Sequence, residues 1–428
     1  MLIKLAYLNL FRNTRRSVST GLAICVGFVG LNLLGAYIYR VKKSLDMTSV
    51  YSSLRGHVKV YKKDSLVQFS LKPKNYIFSP DEIKLVEKVM SPLASQVEYT
   101  GLNINGSGLL SNGVKSHPVL ILSFQPEIYA RSLSQPRLIE WAHEWVLPSQ
   151  IENIELFRNN NDVMSITPRI ADIMNFKQPL KLNEAVQVAA RNFDGDLNAV
   201  NLDLGAEHTT GVEFLEDTLV LIPYKKVQEL LGTDGAQSIS IYLKENQDLD
   251  GFKKSLDTIF KELPFSVETY FYYDEEINSV YNGTLGFLIV MGGFFVFLIG
   301  TAVSLTVINS LTMGIIERTK EIGTLFAVGF KKAIVNKIFI YENLILSMIS
   351  MIIGTALSLI ISIIVNNLNI EFTPPGVSGK IQFRLIWNLY IAFSVGFFLF
   401  LLTWSSAWLV LKTKFKTKVI NLLSDSGA

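Results

Sequence analysis

Four stretches of this chain run without a charged side chain for the length of a membrane crossing. The first lies between Arg16 and Arg40 and the second between Glu276 and Glu317. The third covers 343–370, with a start extendable to Ala333, and the fourth covers 385–411. A transmembrane helix needs ~20 mainly apolar residues to cross a hydrocarbon core of ~30 Å. Charged residues make up 18% of the 428 residues, against about 25% in a soluble protein. A plain soluble enzyme and a disordered chain are both excluded. A long segment separates the first two runs, and short loops separate the rest. The expected fold is a membrane protein with four transmembrane α-helices and a large α+β extracytoplasmic domain between helices 1 and 2.

The segments read as follows along the chain. A cytoplasmic amphipathic helix is expected over 1–17, helix 1 over 18–40 and the α+β domain over 41–275, with an insertion at about 126–209. Helix 2 with a stalk extension follows over 276–316, and a cytoplasmic coupling helix over 317–332. Helix 3 is expected over 333–370, an external loop over 371–384, helix 4 over 385–411 and a cytoplasmic tail over 412–428. The first apolar run is too long for a cleaved signal, and Ile24 before Cys25 does not fit a lipoprotein cleavage site. A retained helix is expected.

Orientation follows from Lys and Arg in the short flanks. Residues 1–17 carry Lys4, Arg12, Arg15 and Arg16, a charge of +4. The 317–332 loop carries +2 and the tail +3, whereas the segment from Arg40 to Glu276 holds 25 Lys+Arg and 32 Asp+Glu, a charge of −7. The termini and the 317–332 loop are therefore expected in the cytoplasm and the acidic domain outside. Tyr37, Tyr39, Trp387, Trp404 and Trp408 lie toward the ends of runs, where aromatic belts form.

The second run is too long for its task. About 40 helical residues rise ~60 Å, twice the hydrocarbon thickness. Tilt does not absorb that excess, so the helix is expected to continue beyond the bilayer as a stalk. Gly286, Gly293 and Gly300 recur every seven residues near one face, and Gly292 widens the strip. Gly27 and Gly30, with Gly21 and Gly35, mark helix 1 in the same way. Small residues let helices approach closely in lipid. Two readings stand: a helix–helix seam, between subunits or between spans one and two, and ordinary glycine tolerance in membrane helices.

The large domain shows little chemistry. Strands are expected at 57–61, 219–222 and 238–243, and helices at 80–90 and 250–260. His57, His117, His143 and His208 form no H-E-x-x-H motif, and no G-x-S-x-G elbow occurs. Asp194, Asp196 and Asn198 begin like a calcium loop, but Ala199 replaces the turn glycine and Gly205 the bidentate glutamate. A polar turn is expected there, and no metal site. Trp141 and Trp145 are expected in the core. One cysteine excludes an internal disulfide. The acidity of the domain argues against nucleic acid. No G-x-x-x-x-G-K-[ST] loop occurs, so the sequence supplies no P-loop of its own.

Between runs two and three stands Glu317-Arg318-Thr319-Lys320-Glu321-Ile322-Gly323-Thr324-Leu325-Phe326-Ala327-Val328-Gly329. It is too apolar for a solvated connector and is expected to form a short helix, with Gly329 at its C-terminal cap. The pattern E-R-x-x-E-I-G-x-L-x-A-x-G resembles the signature of the FtsX-like permease family, the MacB and LolC/LolE type of ABC transporter subunits. Asn9 to Arg16 resembles the family's approach to span one, and Gly56 to Val60 its first outer strand. Thr373-Pro374-Pro375-Gly376 resembles its loop between spans three and four.

The resemblance implies that Glu317, Arg318, Glu321, Ile322 and Gly323 lie at or near an ATPase, with Leu325, Phe326, Ala327 and Gly329 shaping a coupling helix. The competing reading has the charged residues only capping helices or meeting lipid headgroups. It further implies a multi-pass subunit of the bacterial cytoplasmic (inner) membrane, itself non-catalytic. Two copies of an ABC ATPase subunit holding ATP and Mg, and a second permease subunit, identical or paralogous, are the implied partners. A periplasmic carrier or adaptor is a further one. The implied work is mechanotransmission that extracts or exports lipoprotein or another lipid-linked cargo. The alternatives are a MacB-type efflux permease and an FtsX-like regulator of a cell-wall hydrolase.

Overall fold

The computed structural model describes the chain except residues 1, 13, 153, 178–183, 374, 375 and 415–428. The chain divides into two compact units. A helical unit comprises Met1–Arg40, Gly286–Ile370 and Phe383–Ala428, and an α+β unit comprises Val41–Leu285 and Glu371–Gln382.

Among the described residues, four helices are long and apolar enough to cross a membrane: Thr14–Met47, Ser279–Glu317, Lys332–Asn367 and Leu389–Lys414. They are called here the first to fourth spans. The first span outruns its apolar run because the charges that end the run do not end the helix. Lys42 Nζ lies 2.9 Å from Asp46, one turn on, and supports the added turns. Within the helical unit Ile24, Phe28 and Leu31 pack with Val303, Val307 and Leu311, and with Phe339, Leu399 and Ala407. Val303, Val307 and Leu311 recur every four residues and so share one face. Phe287, Val290, Phe294 and Phe297 of the second span are exposed, as are Ile352 and Ile360 of the third and Phe393 and Phe397 of the fourth. A surface this apolar suits lipid.

Polar side chains inside this unit meet one another. Thr20 Oγ1 donates to Ser310 Oγ at 2.7 Å. Asn366 Nδ2 donates to the Leu385 carbonyl at 3.0 Å, and its Oδ1 accepts from the Leu385 amide at 2.8 Å. A short helix, Leu2–Arg12, precedes the first span and packs along the third. Its Ala6 and Leu10 are buried, while Leu5 and Leu8 are exposed.

In the α+β unit the strands are β1 (Val58–Lys62), β2 (Val97–Asn103), β3 (Asn105–Ser111), β4 (Ser116–Phe124), β5 (Val163–Ile166), β6 (Ala185–Arg191), β7 (Leu197–Glu207), β8 (Leu219–Pro223), β9 (Ser238–Leu243) and β10 (Val267–Phe271). An antiparallel sheet runs in the order β10-β1-β9-β2, so both ends of the segment fold together. Between them a closed barrel runs β3-β4-β8-β5-β7-β6. The barrel starts at Asn105 and ends at Pro223, so the inserted body is wider than 126–209. The reason is pairing at a distance: β4 lies parallel to β8, with Leu120 opposite Leu219. Alternation sets the interior, as Val119 and Ile121 are buried and Leu120 exposed on β4, and Val186, Val188 and Ala190 are buried on β6. Closure between β3 and β6 needs Gly108, because a Cβ there would stand 2.6 Å from the Ala189 carbonyl.

A second cluster gathers Phe124, Tyr129 and Phe157 with Trp145 at its edge, and Trp145 Nε1 donates to Ser44 Oγ at 2.9 Å. The last turns of the first span and the start of the second belong to this unit. Tyr281 Oη donates to Asp46 at 2.6 Å, and Asn278 Nδ2 donates to Ser49 Oγ at 2.9 Å. The helix pair therefore carries its own side-chain clasp where it joins the sheet cluster. At the calcium-like stretch, Asn192 Oδ1 accepts from the amides of Asp194 and Asp196, and Asp194 pairs with Lys74.

The hairpin between spans three and four is tied into the same unit. Glu216 Oε1 accepts from Thr209 Oγ1, Thr210 N, Thr210 Oγ1 and Ser378 Oγ, at 2.8, 2.6, 2.8 and 2.7 Å. Burial pushes this carboxyl up, but those donors outweigh it and hold it below the ordinary range. His57 and His208 are buried, and desolvation holds each down to about 4. Depressed folded-state values mean that stability is fully present above the unfolded values and lost as pH falls. For the histidines the window runs from 6.5 down to about 4, and Glu216 adds its loss below the ordinary carboxylate range. The midpoint of thermal unfolding of the full chain in detergent is expected to drop between pH 6.5 and 5. The H57Q/H208Q double variant, measured by scanning fluorimetry, is expected to show a smaller drop over that interval.

Candidate functional site

The second span ends at Glu317, and the chain turns at Arg318, whose φ of −100° and ψ of 15° leave the helical region. Thr319 Oγ1 bonds back to the Ile315 carbonyl at 3.0 Å, a local competition that marks helix ends. A nine-residue helix, Thr319–Ala327, follows. It stops in a Schellman arrangement: Gly329, at φ +98°, donates to Phe326 O, and Phe330 donates to Leu325 O, each at 3.0 Å. The third span starts at once, at Lys332.

The short helix is amphipathic in place. Ile322 and Gly323 are buried, and Ile322, Leu325 and Phe326 pack on the helical core beside Ile315, Val335 and Phe339. Glu321, Thr324, Ala327 and Val328 lie on the exposed side, with Val328 78% exposed.

Behind the helix lies an ionic cluster. Arg318 Nη1 stands 3.1 Å from Glu342 Oε2, and its Nη2 lies 3.5 Å from Oε1. Arg16 Nη2 lies 3.3 Å from Glu342 Oε1, and Arg16 Nη1 lies 3.5 Å from Glu317. Arg318 Nη2 also reaches the Asn9 carbonyl at 3.5 Å. The Glu342 side chain is only 5% exposed, and those of Arg16 and Arg318 are 17% and 11% exposed. Gly314 makes room for this cluster, since a Cβ there would fall 2.0 Å from Arg16 Nη1.

Of the residues singled out by sequence, Glu317, Arg318, Glu321, Ile322, Gly323, Leu325, Phe326, Ala327 and Gly329 all fall on this helix and its two turns. The glycines separate. A Cβ at Gly27 would meet Val303 at 2.8 Å and one at Gly30 would meet Ile299 at 3.6 Å, so both face the second span. Gly292 faces Ile38, and Gly300 faces Phe398 and Leu402 of the fourth span. Gly286 and Gly293 have no described atom within 4 Å of a Cβ position. Gly376 belongs to the α+β unit, where its carbonyl accepts from the Glu213 amide at 3.1 Å, and Pro374 and Pro375 lie outside the described residues. Sequence reasoning missed Glu342, Gly314 and the pairing of Arg16. The signal for Glu342 was present, as it is the sole acid in 333–370, and ionisable side chains within spanning segments are rare and pair inside the bundle.

Gly27→Leu is expected to lower the chain's thermal stability by about 1–3 kcal/mol through overpacking against Val303. Gly293→Leu is expected to leave the unfolding midpoint of the isolated chain unchanged, as read by the same thermal scan.

Residues 293–417 match the family described as FtsX-like permease C-terminal. An uncharacterised ABC transporter permease of Methanocaldococcus jannaschii is 28% identical over 189 residues, which are 42% of this chain and 46% of that protein. A macrolide export ATP-binding/permease protein MacB of Neisseria meningitidis is 23% identical over 158 residues, covering 36% of this chain and 24% of that protein. The matched part thus spans under half the length of these relatives. The periplasmic region of MacB from Actinobacillus actinomycetemcomitans aligns over 50% of this chain and 88% of its own, at 12% identity and a TM-score of 0.32. The short helix, its two turns and the third and fourth spans lie in the matched segment, so residues 293–417 carry a domain similar to the C-terminal part of FtsX-like permeases.

Proposed function

We propose that this chain is the transmembrane subunit of a mechanotransmission ABC transporter and that the helix Thr319–Ala327 is its coupling helix. The observation that carries the reading is the helix itself. It is held on one face by Ile322, Leu325 and Phe326, presents Ala327 and Val328 on the other, and sits between the longest span and the next. A separate ATPase subunit, in two copies that bind ATP and Mg, docks on the exposed face from the cytoplasm. A second permease subunit, identical or paralogous, completes the assembly. The exposed strip at Gly286 and Gly293 is the surface offered to that subunit, since small residues favour close helix approach. Movement of the coupling helix passes along the second span, a continuous helix of 39 residues, to the α+β unit on the outer side. That unit handles a lipid-linked cargo such as a lipoprotein, drawn from the outer leaflet and delivered to a carrier. The relatives named as macrolide export proteins favour a second reading, in which the cargo is an exported small amphiphile and the partner an adaptor.

Co-purification with the candidate ATPase tests the docking face. Glu321→Lys and Val328→Asp are expected to reduce recovery of the ATPase at least tenfold, with the permease itself still folded. Full recovery with both variants refutes docking on this face. Glu317 is a poorer probe, because its reversal also breaks the contact with Arg16.

A further inference from the structure

We infer that Glu342 is the positioning residue that sets the angle of the short helix, by holding Arg318 and Arg16 at the turn from which that helix departs. The inference rests on the coupling role proposed above and names what orients that helix.

The turn at Arg318 is the single non-helical residue between Glu317 and Thr319. Its backbone carbonyl accepts the Ile322 amide at 2.9 Å, so the direction of the short helix starts from this residue. Its guanidinium spans both oxygens of Glu342, a two-point contact that fixes orientation as well as distance. Glu342 stands about three turns into the third span, on an element that does not include the turn. The carboxylate therefore ties the start of the short helix to a body outside it. Arg16 joins from the first span, and Arg318 also reaches Asn9 of the N-terminal helix. Glu342 thus ties the turn and the first span to the third, and Arg318 adds the N-terminal helix through Asn9.

Charge explains why the group is ionic. Arg16 and Arg318 approach the same acceptor and repel each other, and Glu342 between them offsets that repulsion. Removing a buried partner leaves the others uncompensated. With a neutral group at 342 the guanidiniums separate, and the turn loses its reference. Gly314 is the steric counterpart, since any larger residue would occupy the place of the Arg16 guanidinium.

The test uses the full chain in nanodiscs with its candidate ATPase. Glu342→Gln is expected to co-purify with the ATPase as the native chain does and to reduce stimulation of ATP turnover about tenfold through kcat, with KM for ATP unchanged. Glu342→Asp, which restores the charge, is expected to recover at least half of the stimulation. A nitroxide at Val328→Cys, in a Cys25→Ala background, reads the helix directly without the ATPase. Its spectrum is expected to show greater mobility in Glu342→Gln than in the native chain and in Glu342→Asp. Should Glu342→Gln fail to fold, the triple change Glu342→Met, Arg318→Met and Arg16→Met removes all three charges together, and apolar replacement of a buried ionic group is commonly tolerated. It too is expected to assemble and not to stimulate. Native stimulation and an unchanged spectrum in either neutral variant overturn the role of Glu342 alone. A native chain that neither binds nor stimulates the ATPase overturns the coupling reading and this inference with it.

Discussion

A backbone in hydrocarbon has no water to satisfy its amides and carbonyls, so each spanning segment must close its own hydrogen bonds as a helix. The rest of the helical unit follows from that demand and from its extension to side chains. Thr20 meets Ser310, Asn366 exchanges two bonds with Leu385, and Trp387 Nε1 donates to Ser358 Oγ at 3.2 Å. Each pairing joins different stretches of chain, so satisfying a polar group also fixes a neighbour. The ionic cluster at Glu342 is the strongest case, because its groups are charged and nearly enclosed. Leaving one of them alone would cost far more than the loss of a neutral hydrogen bond.

The α+β unit answers a different demand. Its sheet takes strands from both ends of a long segment, and the barrel sits between them. Closure leaves the barrel no edge strand to pair with another chain. Glu216 brings the hairpin Glu371–Gln382 into the same unit through Ser378. The chain therefore passes between the two units four times: once along the first span, once along the second, and at each end of the hairpin between the third and fourth.

Much of this was legible in residue order. The apolar runs located the spans, and the segment from Glu317 to Gly329 marked the short helix by its mixture of buried-type and charged residues. The strand at β9 showed in its alternation, and the helix at Pro80–Val89 in apolar residues at 83, 86 and 89. The barrel was not legible as such. Its closure depends on β3 meeting β6 and β4 meeting β8, partners far apart in the chain. The seven-residue glycine spacing was visible, yet its members face different surroundings, because side-chain period alone does not say what stands opposite. The partner of Arg318 was hidden for the same reason, since 24 residues separate it from Glu342.

By itself the sequence located four runs long and apolar enough to cross a membrane, and a short amphipathic element within 317–332 after the second one. Those features depend on local composition and on the length scale of a bilayer, which any stretch of chain reports directly. Tertiary structure alone decided that Glu342 would receive two arginines, that Gly314 would be the space beside them, and that Glu216 would take up Ser378. These contacts are between distant segments, and their energy comes from removing charge and polarity from solvent together. That exclusion exists only once the elements have packed.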